Sequence, residues 1–112
     1  MTDDELVGVL KALAHPVRLR IMKVLSGTER NVGEIDDAAG IGQPTLSQQL
    51  AVLRKTGLVK TRKEAKLVYY RIDEGRLAKA IQAAGELSAL PAVPIRLKRQ
   101  AAPGVANFAR LG

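Results

Sequence analysis

The fold is decided by residues 31–59, NVGEIDDAAGIGQPTLSQQLAVLRKTGLV, where two helical patterns flank a glycine-containing turn. The first pattern opens with Asn31 and Glu34, which have the spacing of a capping box. The second begins with Gln43 and Pro44 and has leucines on one face at helical spacing. These leucines are Leu46, Leu50 and Leu53. A short helix, a turn and a longer helix predict a helix-turn-helix unit.

The ends and the inner face of these two helices can also be predicted. The first helix is expected to turn three apolar side chains inward, namely Ile35, Ala38 and Ala39. Gly40 would end that helix, and Gly57 would end the second helix in a left-handed conformation.

Two further helices are predicted in the segment that precedes this unit. Thr2 and Glu5 form another capping box ahead of apolar residues at helical spacing. Pro16 suits the first turn of the next helix, where a missing N–H costs no hydrogen bond. His15 is the single histidine, and its place before Pro16 favours a role in helix entry over metal, haem or proton sensing.

The segment that follows the unit predicts a β-hairpin and a last helix. Leu58-Val59 and residues 67–70 flank the charged stretch RKEAK at 62–66, which fits a hairpin with a charged tip. Tyr69 and Tyr70 alternate along the second strand, so one should face the core and the other should face outward. The last helix is expected to begin after Asp73 and to carry apolar residues as far as Leu87.

Length and charge limit the classes of protein. The chain has 112 residues and 12.0 kDa, enough for one small domain, which we assign to residues 1–89. Residues 90–112 form a basic, proline-containing C-terminal tail. Lysine and arginine outnumber acidic residues by 18 to 11, and the excess is concentrated in residues 54–79. This local positive charge points to a polyanion such as nucleic acid.

Several classes of function find no support in the sequence. The absence of cysteine excludes disulfides and thiolate metal sites. There is no phosphate-binding glycine loop and no partner for the lone histidine in general-base chemistry, so we expect no enzyme. No apolar run is long enough for a membrane span, and the N-terminus is acidic, so we expect a cytoplasmic protein without membrane contact.

The second helix of the unit is the best candidate for contact with DNA. With its leucines inward, it exposes small polar groups at its start and cations at its end, the arrangement needed in a major groove. The candidate residues are Gln43, Pro44, Thr45, Ser47, Gln48, Arg54 and Lys55. Gln48 is the preferred base contact. Cations of the hairpin would reach phosphates or a neighbouring minor groove: Arg62, Lys63 and Lys66.

Plainer interpretations remain open for both elements. The helix face is also typical of a solvated surface, and hairpin charges also protect a sheet edge from aggregation. A winged-helix module that binds a protein or RNA is a further alternative. Such a module would expose an apolar patch in place of Gln48 and Lys55.

Three segments resemble the ArsR/SmtB family of bacterial repressors in their sequence and in their order along the chain: residues 10–25, 31–59 and 62–72. The resemblance spans about residues 6–87. It implies a mainly α protein with a small β-hairpin (α+β), a winged helix-turn-helix of order α-α-(β)-α-α-β-β-α. It also implies a homodimer that represses its own operon at an imperfect palindromic operator in double-stranded DNA, until an effector lowers its affinity.

In the family, the first and last helices form the dimer interface. Carried over to this sequence, the interface residues are Leu6, Leu10, Leu13, Leu77, Ile81 and Ala84. Gly42, Pro44 and Gln49 depart from the family pattern around the recognition helix, where serine, serine and histidine are common. A different sequence preference follows from these departures.

The sensing residues of the family are missing from this chain. Residues 34–37 read Glu-Ile-Asp-Asp where metal sensors resemble one another in a cysteine motif, and the last helix has no histidine. Lys23 stands near the position of a cysteine in relatives that sense reactive sulfur. We therefore expect no metal and no cofactor. Two options stay open for regulation: a small organic effector between the first and last helices, or control through protein abundance alone.

Overall fold

The computed structural model describes residues 1–90 and shows, in that range, five helices and one three-stranded sheet. The elements are α1 (Asp3–Leu13), α2 (Pro16–Leu25), β1 (Arg30–Asn31), α3 (Val32–Ala39), α4 (Thr45–Lys55), β2 (Val59–Glu64), β3 (Leu67–Ile72) and α5 (Glu74–Gly85). This order confirms the predicted winged helix-turn-helix, and it includes the short strand before α3.

Capping boxes start α1 and α3 where the sequence predicts. The Thr2 hydroxyl accepts the Glu5 N–H at 3.1 Å, and the Glu5 carboxylate accepts the Thr2 N–H at 2.7 Å. These bonds to Thr2 hold the pKa of Glu5 below its ordinary value. The same reciprocal pair forms between Asn31 and Glu34 at the start of α3.

His15 is the N-cap of α2, which confirms its predicted role in helix entry. Its Nδ1 accepts the Val17 N–H at 3.1 Å and the Arg18 N–H at 3.5 Å. Two of the otherwise unpaired donors at the start of α2 are therefore satisfied by this imidazole.

Helix α4 packs its leucine row into the core, as predicted. Leu46, Leu50 and Leu53 are at most 1% exposed, and Ile35 of α3 is fully buried beside other apolar side chains of the cluster. The prediction that Ala38 faces inward is wrong, because Ala38 is exposed on α3. In this eight-residue helix, Ile35 is buried and Val32 packs partly buried against the core, so these two residues make its apolar contact.

The sheet has the order β1-β3-β2 with antiparallel pairing throughout. Arg30 and Asn31 of β1 pair with Tyr70 and Tyr69 of β3. We refer to β2, β3 and their connecting turn, residues 59–72, as the wing. Tyr70 packs against the core while Tyr69 does not belong to it, so the predicted division of the two tyrosines is confirmed.

The last helix is shorter than predicted. Helix α5 is capped by Asp73, whose carboxylate accepts the Arg76 N–H at 3.1 Å, but it ends at Gly85. Leu87 follows in a turn and is 85% exposed, so its predicted place on the helix is wrong. Glycine is a poor helix former, and residues 86–90 that follow it are all exposed, so packing does not extend the helix among the described residues. Residues 91–112, nearly all of the predicted tail, lie outside the described residues.

Candidate nucleic-acid interface

The turn before α4 determines where that helix begins. The Asp36 carboxylate accepts the N–H groups of Ile41 and Gly42 at 2.9 and 2.8 Å, and Gly42 has φ +85°. Pro44 is the N-cap, so α4 starts at Thr45, later than the predicted start at Gln43.

The Gln43 side chain caps the N-terminus of α4. Its side-chain oxygen accepts the Ser47 N–H at 3.1 Å, which supplies the cap that Pro44 lacks. This amide therefore has a local structural partner in the free protein. Sequence reasoning missed this role, because it considered Gln43 only as a group for DNA.

The outer face of α4 is polar, and its character changes along the helix. Ser47 and Gln48 are exposed in its first half, and Arg54 and Lys55 are exposed in its last turn, while Thr45 is half-buried. One large apolar side chain on this helix, Val52, is partly exposed. The predicted DNA-contacting residues thus lie outside the core, with hydroxyl and amide groups first and cations last.

An open groove separates α4 from the wing. Its lining residues are Ser47, Leu50, Ala51, Arg54, Lys55 and Tyr70. The charged groups of this lining are both cations, and its other polar groups are hydroxyls. Such a lining suits an oxyanion such as a backbone phosphate.

The register of the wing assigns its cations to different faces. Lys63 lies opposite Val68, and Thr61 lies opposite Tyr70, so Lys63 shares the sheet face that carries Tyr70 toward α4. Arg62 lies opposite Tyr69 on the other face. The tip carries a charge, as predicted, since Lys66 is exposed in the turn at residues 65–66, but β2 continues to Glu64, so the turn is shorter than the charged stretch at 62–66.

Arg62 is already paired. Its Nε and Nη2 donate to the Glu29 carboxylate at 2.8 to 2.9 Å, its Nη1 donates to Glu64 at 2.8 Å, and its guanidinium lies 4.8 Å from the Tyr69 ring centroid. The bonds to Glu29 and then Glu64 raise the pKa of Arg62, and the bond from Arg62 lowers the pKa of Glu29. Glu64 is thus paired locally, and the guanidinium of Arg62 offsets part of its negative charge near the tip.

The residues predicted for a dimer interface divide into two groups. Leu6, Leu13 and Leu77 pack against the core of the same chain. Leu10 of α1 and Ile81 of α5 remain 43% and 47% exposed. Val7, which sequence reasoning did not select, is 47% exposed on α1, one turn from Leu10. Ala84 is half-buried.

Residues 1–90 also lack the features of a metal site and of a membrane span. No cluster of three or more histidine, cysteine or carboxylate side chains lies close enough together to hold a metal ion. None of the helices in this range has the length and apolar character of a membrane span.

Known proteins share both the sequence and the architecture. Residues 15–61 match the family described as "Bacterial regulatory protein, arsR family". The "Biofilm growth-associated repressor" of Xylella fastidiosa is 48% identical over 80 residues, which cover 71% of this chain and 70% of that protein. "Transcriptional activator HlyU" of Vibrio cholerae is 42% identical over 76 residues, which cover 68% and 70% of the two chains.

A solved structure gives the same result for the fold. The crystal structure of the transcriptional repressor BigR from Xylella fastidiosa superposes with a TM-score of 0.62 at 43% identity, and covers 79% of this chain and 90% of that one. Because the matched family and relatives are regulators, the expectation that this chain is not an enzyme is confirmed. The chain belongs to the arsR family of bacterial regulatory proteins, which control transcription through a DNA-binding winged helix-turn-helix.

Proposed function

We propose that the protein is a cytoplasmic homodimer that represses its own operon by binding an imperfect palindrome, and that an unidentified effector releases it. The observation that carries the DNA-binding part is the exposed face of α4, with hydroxyl and amide groups at its start and cations at its end, beside a groove toward the wing. We infer repression, and not activation, from relatives such as the biofilm growth-associated repressor.

Each exposed group on α4 has a distinct task in this proposal. Gln48 reads a base edge, since an amide both donates and accepts in the pattern that adenine presents in the major groove. Ser47 and Thr45 contribute hydroxyls near the start of the helix. Arg54 and Lys55 lie at its far end, where they contact phosphates and fix the register.

The remaining candidates act around this helix. Gln43 and Pro44 shape its start and contact the backbone of DNA there. Lys63 and Lys66 of the wing reach flanking phosphates. Arg62 keeps its predicted place at the interface but acts chiefly by holding the wing, because its donors are directed to Glu29 and Glu64.

Dimerisation uses the apolar groups that one chain leaves uncovered. Leu10 and Ile81 lie on helices that contact each other, so their exposed parts form the centre of the proposed seam, with Val7 beside Leu10. Leu6, Leu13, Leu77 and Ala84 support that surface from beneath or at its border. A twofold dimer places two copies of α4 in successive major grooves about 34 Å apart, which requires a palindromic site.

Binding to a protein or to RNA is the second candidate, and it is less well supported. It calls for an apolar patch on α4, whereas the exposed groups of that helix are polar or cationic apart from Val52 and Ala51.

The test is binding of the purified chain to a DNA fragment from upstream of its own gene, measured by fluorescence anisotropy from 50 to 200 mM salt. We expect a dimer in sedimentation, protection of a palindromic site, and a steep loss of affinity with salt. A matched fragment with scrambled half-sites is the control. A monomer that binds both fragments equally would refute the proposal.

A further inference from the structure

The guanidinium of Arg18 links α2, which carries it, to α1 and α4. Arg18, in the first turn of α2, donates from Nε to the Ala12 carbonyl at 2.7 Å and from Nη2 to the Lys11 carbonyl at 3.2 Å. Its Nη1 donates to the side-chain oxygen of Gln49 at 2.8 Å. The first two partners lie in the last turn of α1, and the third lies in the middle of α4.

The chemistry of this contact favours arginine. Carbonyls in the last turn of a helix lack partners within the helix and attract cations. A planar guanidinium supplies several donors in fixed directions, whereas the lysine ammonium is a compact point charge on a flexible stem. Arg18 and Gln49 are both half-buried, so water competes with their bond less than it does at the surface.

A second arginine holds the other end of α4. Arg76 of α5 donates from Nε to the carbonyl of Thr56, which is the C-cap of α4, at 2.8 Å. The side chain passes close to Gly57, where an added Cβ would lie 2.8 Å from its Cδ and Nε. Gly57 also has φ +81°, so glycine there serves both the left-handed stop and the passage of Arg76.

These bonds are directional in a way that the leucine row is not. In residues 1–90, the bond from Arg18 is the only side-chain hydrogen bond that joins a residue of Thr45–Lys55 to another helix or strand. Successive residues of a helix differ by about 100° around its axis, so holding the amide of Gln49 sets the angle at which Gln48 is presented.

We propose that Arg18 and Arg76 are positioning residues, which fix α4 relative to α1 and α5 and so tune operator affinity without touching DNA. The inference rests on the proposed function, because α1 and α5 carry the proposed dimer seam. The two copies of α4 can occupy successive grooves only if each is held at a defined angle to that seam. Arg18 supplies the link through α1 and Gln49, and Arg76 supplies the link through α5 and Thr56.

The central test is a double-mutant cycle in the full chain with Arg18→Lys, Gln49→Met and both together. Neither substitution changes net charge, and methionine has nearly the shape of glutamine without its acceptor oxygen. We expect each single variant to lose about fivefold in operator affinity, with the salt slope and the dimer dissociation constant unchanged. The double variant should bind about as well as the single variant with the larger loss, because both changes remove the same bond between Arg18 and Gln49.

Arg20→Lys is the matched control. Arg20 lies two residues further along α2, is exposed and donates to the Ala39 carbonyl on α3, away from α4. Its affinity should stay within about twofold of wild type. Arg76→Lys should lower operator affinity, as Gln49→Met does. An unchanged operator affinity in Gln49→Met would overturn the proposal. So would a double variant whose loss of affinity equals the product of the two single losses, because the two residues would then act independently.

A second readout needs no DNA. Residual dipolar couplings of backbone amides give the angle between α4 and α1 in the free protein, and this angle should shift or broaden in Gln49→Met but not in Arg20→Lys. If the wild-type protein did not bind its own promoter, the proposed function would be refuted but the positioning role would not. An unchanged helix angle in Gln49→Met and Arg76→Lys would refute the positioning role, whatever the result with DNA.

Discussion

Helix α4 and the wing flank the same groove, but different forces hold them. Helix α4 rests on three leucines that are almost fully buried, and two arginines hold it from neighbouring helices. The wing extends beyond the core, with Leu67 49% exposed near its turn. Val59 and Ile72 anchor its base in the core, and beyond them the wing depends on strand pairing and on the surface ion pair between Arg62 and Glu29.

This difference predicts that α4 and the wing respond differently to salt and to acid. Buried apolar contacts are insensitive to salt and to mild acid, whereas exposed ion pairs weaken under both conditions. In the proposed function, α4 reads bases and needs a fixed angle, which its buried leucines favour. The wing would contact phosphates, a task that tolerates some displacement.

The largest effect is expected from removing burial beneath α4. Leu50→Ala should lower the free energy of unfolding by about 2 to 5 kcal/mol, since Leu50 is 1% exposed and its removal leaves a cavity. Leu67→Ala in the wing is the matched change and should cost about 0.5 kcal/mol or less. Urea denaturation measures both. Equal losses would show that the wing is anchored as deeply as the helix.

The next effect concerns base reading by α4. Gln48→Ala should reduce discrimination at one base pair of the half-site by about 1 to 3 kcal/mol. Lys55→Ala, at the other end of the exposed face, should weaken all sequences to a similar extent. Anisotropy with a set of operators changed one base pair at a time distinguishes the two outcomes. A uniform loss for Gln48→Ala would contradict its assignment as a base contact.

Local signals in the sequence predicted most of this architecture. Capping residues, the His15-Pro16 entry and the leucine row of α4 each act within a few residues, so their outcomes can be read from spacing. Contacts between distant segments could not be read in this way. Arg62 and Glu29 are 33 residues apart, and Arg18 and Gln49 are 31 apart. Periodicity predicts which face a side chain occupies, but it does not predict which partner the fold brings to that face.

A smaller effect should separate the two neighbouring cations of β2. Lys63→Ala should flatten the dependence of operator affinity on salt by about one phosphate contact, a change of roughly 0.9 in the logarithmic slope. Arg62→Met removes the same charge from the opposite sheet face, where carboxylates already engage it, so its slope should change less. Salt titrations of both variants test this difference. Equal changes would mean that Arg62 exchanges its carboxylates for phosphates on DNA.

The smallest effect is the response of the wing to acid. The hydrogen bond from Arg62 holds the pKa of Glu29 below its ordinary value of 4.5, so folding favours the ionised carboxylate. The stabilisation from this pair is therefore present above about pH 4.5 and is lost as the pH falls through the lower pKa of the folded protein. Amides of the wing should shift in that pH range, while those of α4 should not.

Arg62→Met provides the decisive comparison for this pair. Without the guanidinium, the pKa of Glu29 should rise toward 4.5 in a carboxyl NMR titration. Glu5 is an internal control, because its pKa is lowered mainly by hydrogen bonds at Thr2 and should not respond to a change in the wing. If the pKa of Glu29 were the same in both proteins, Arg62 would not hold the wing in solution. Beyond its buried base, the wing would then be held by strand pairing alone.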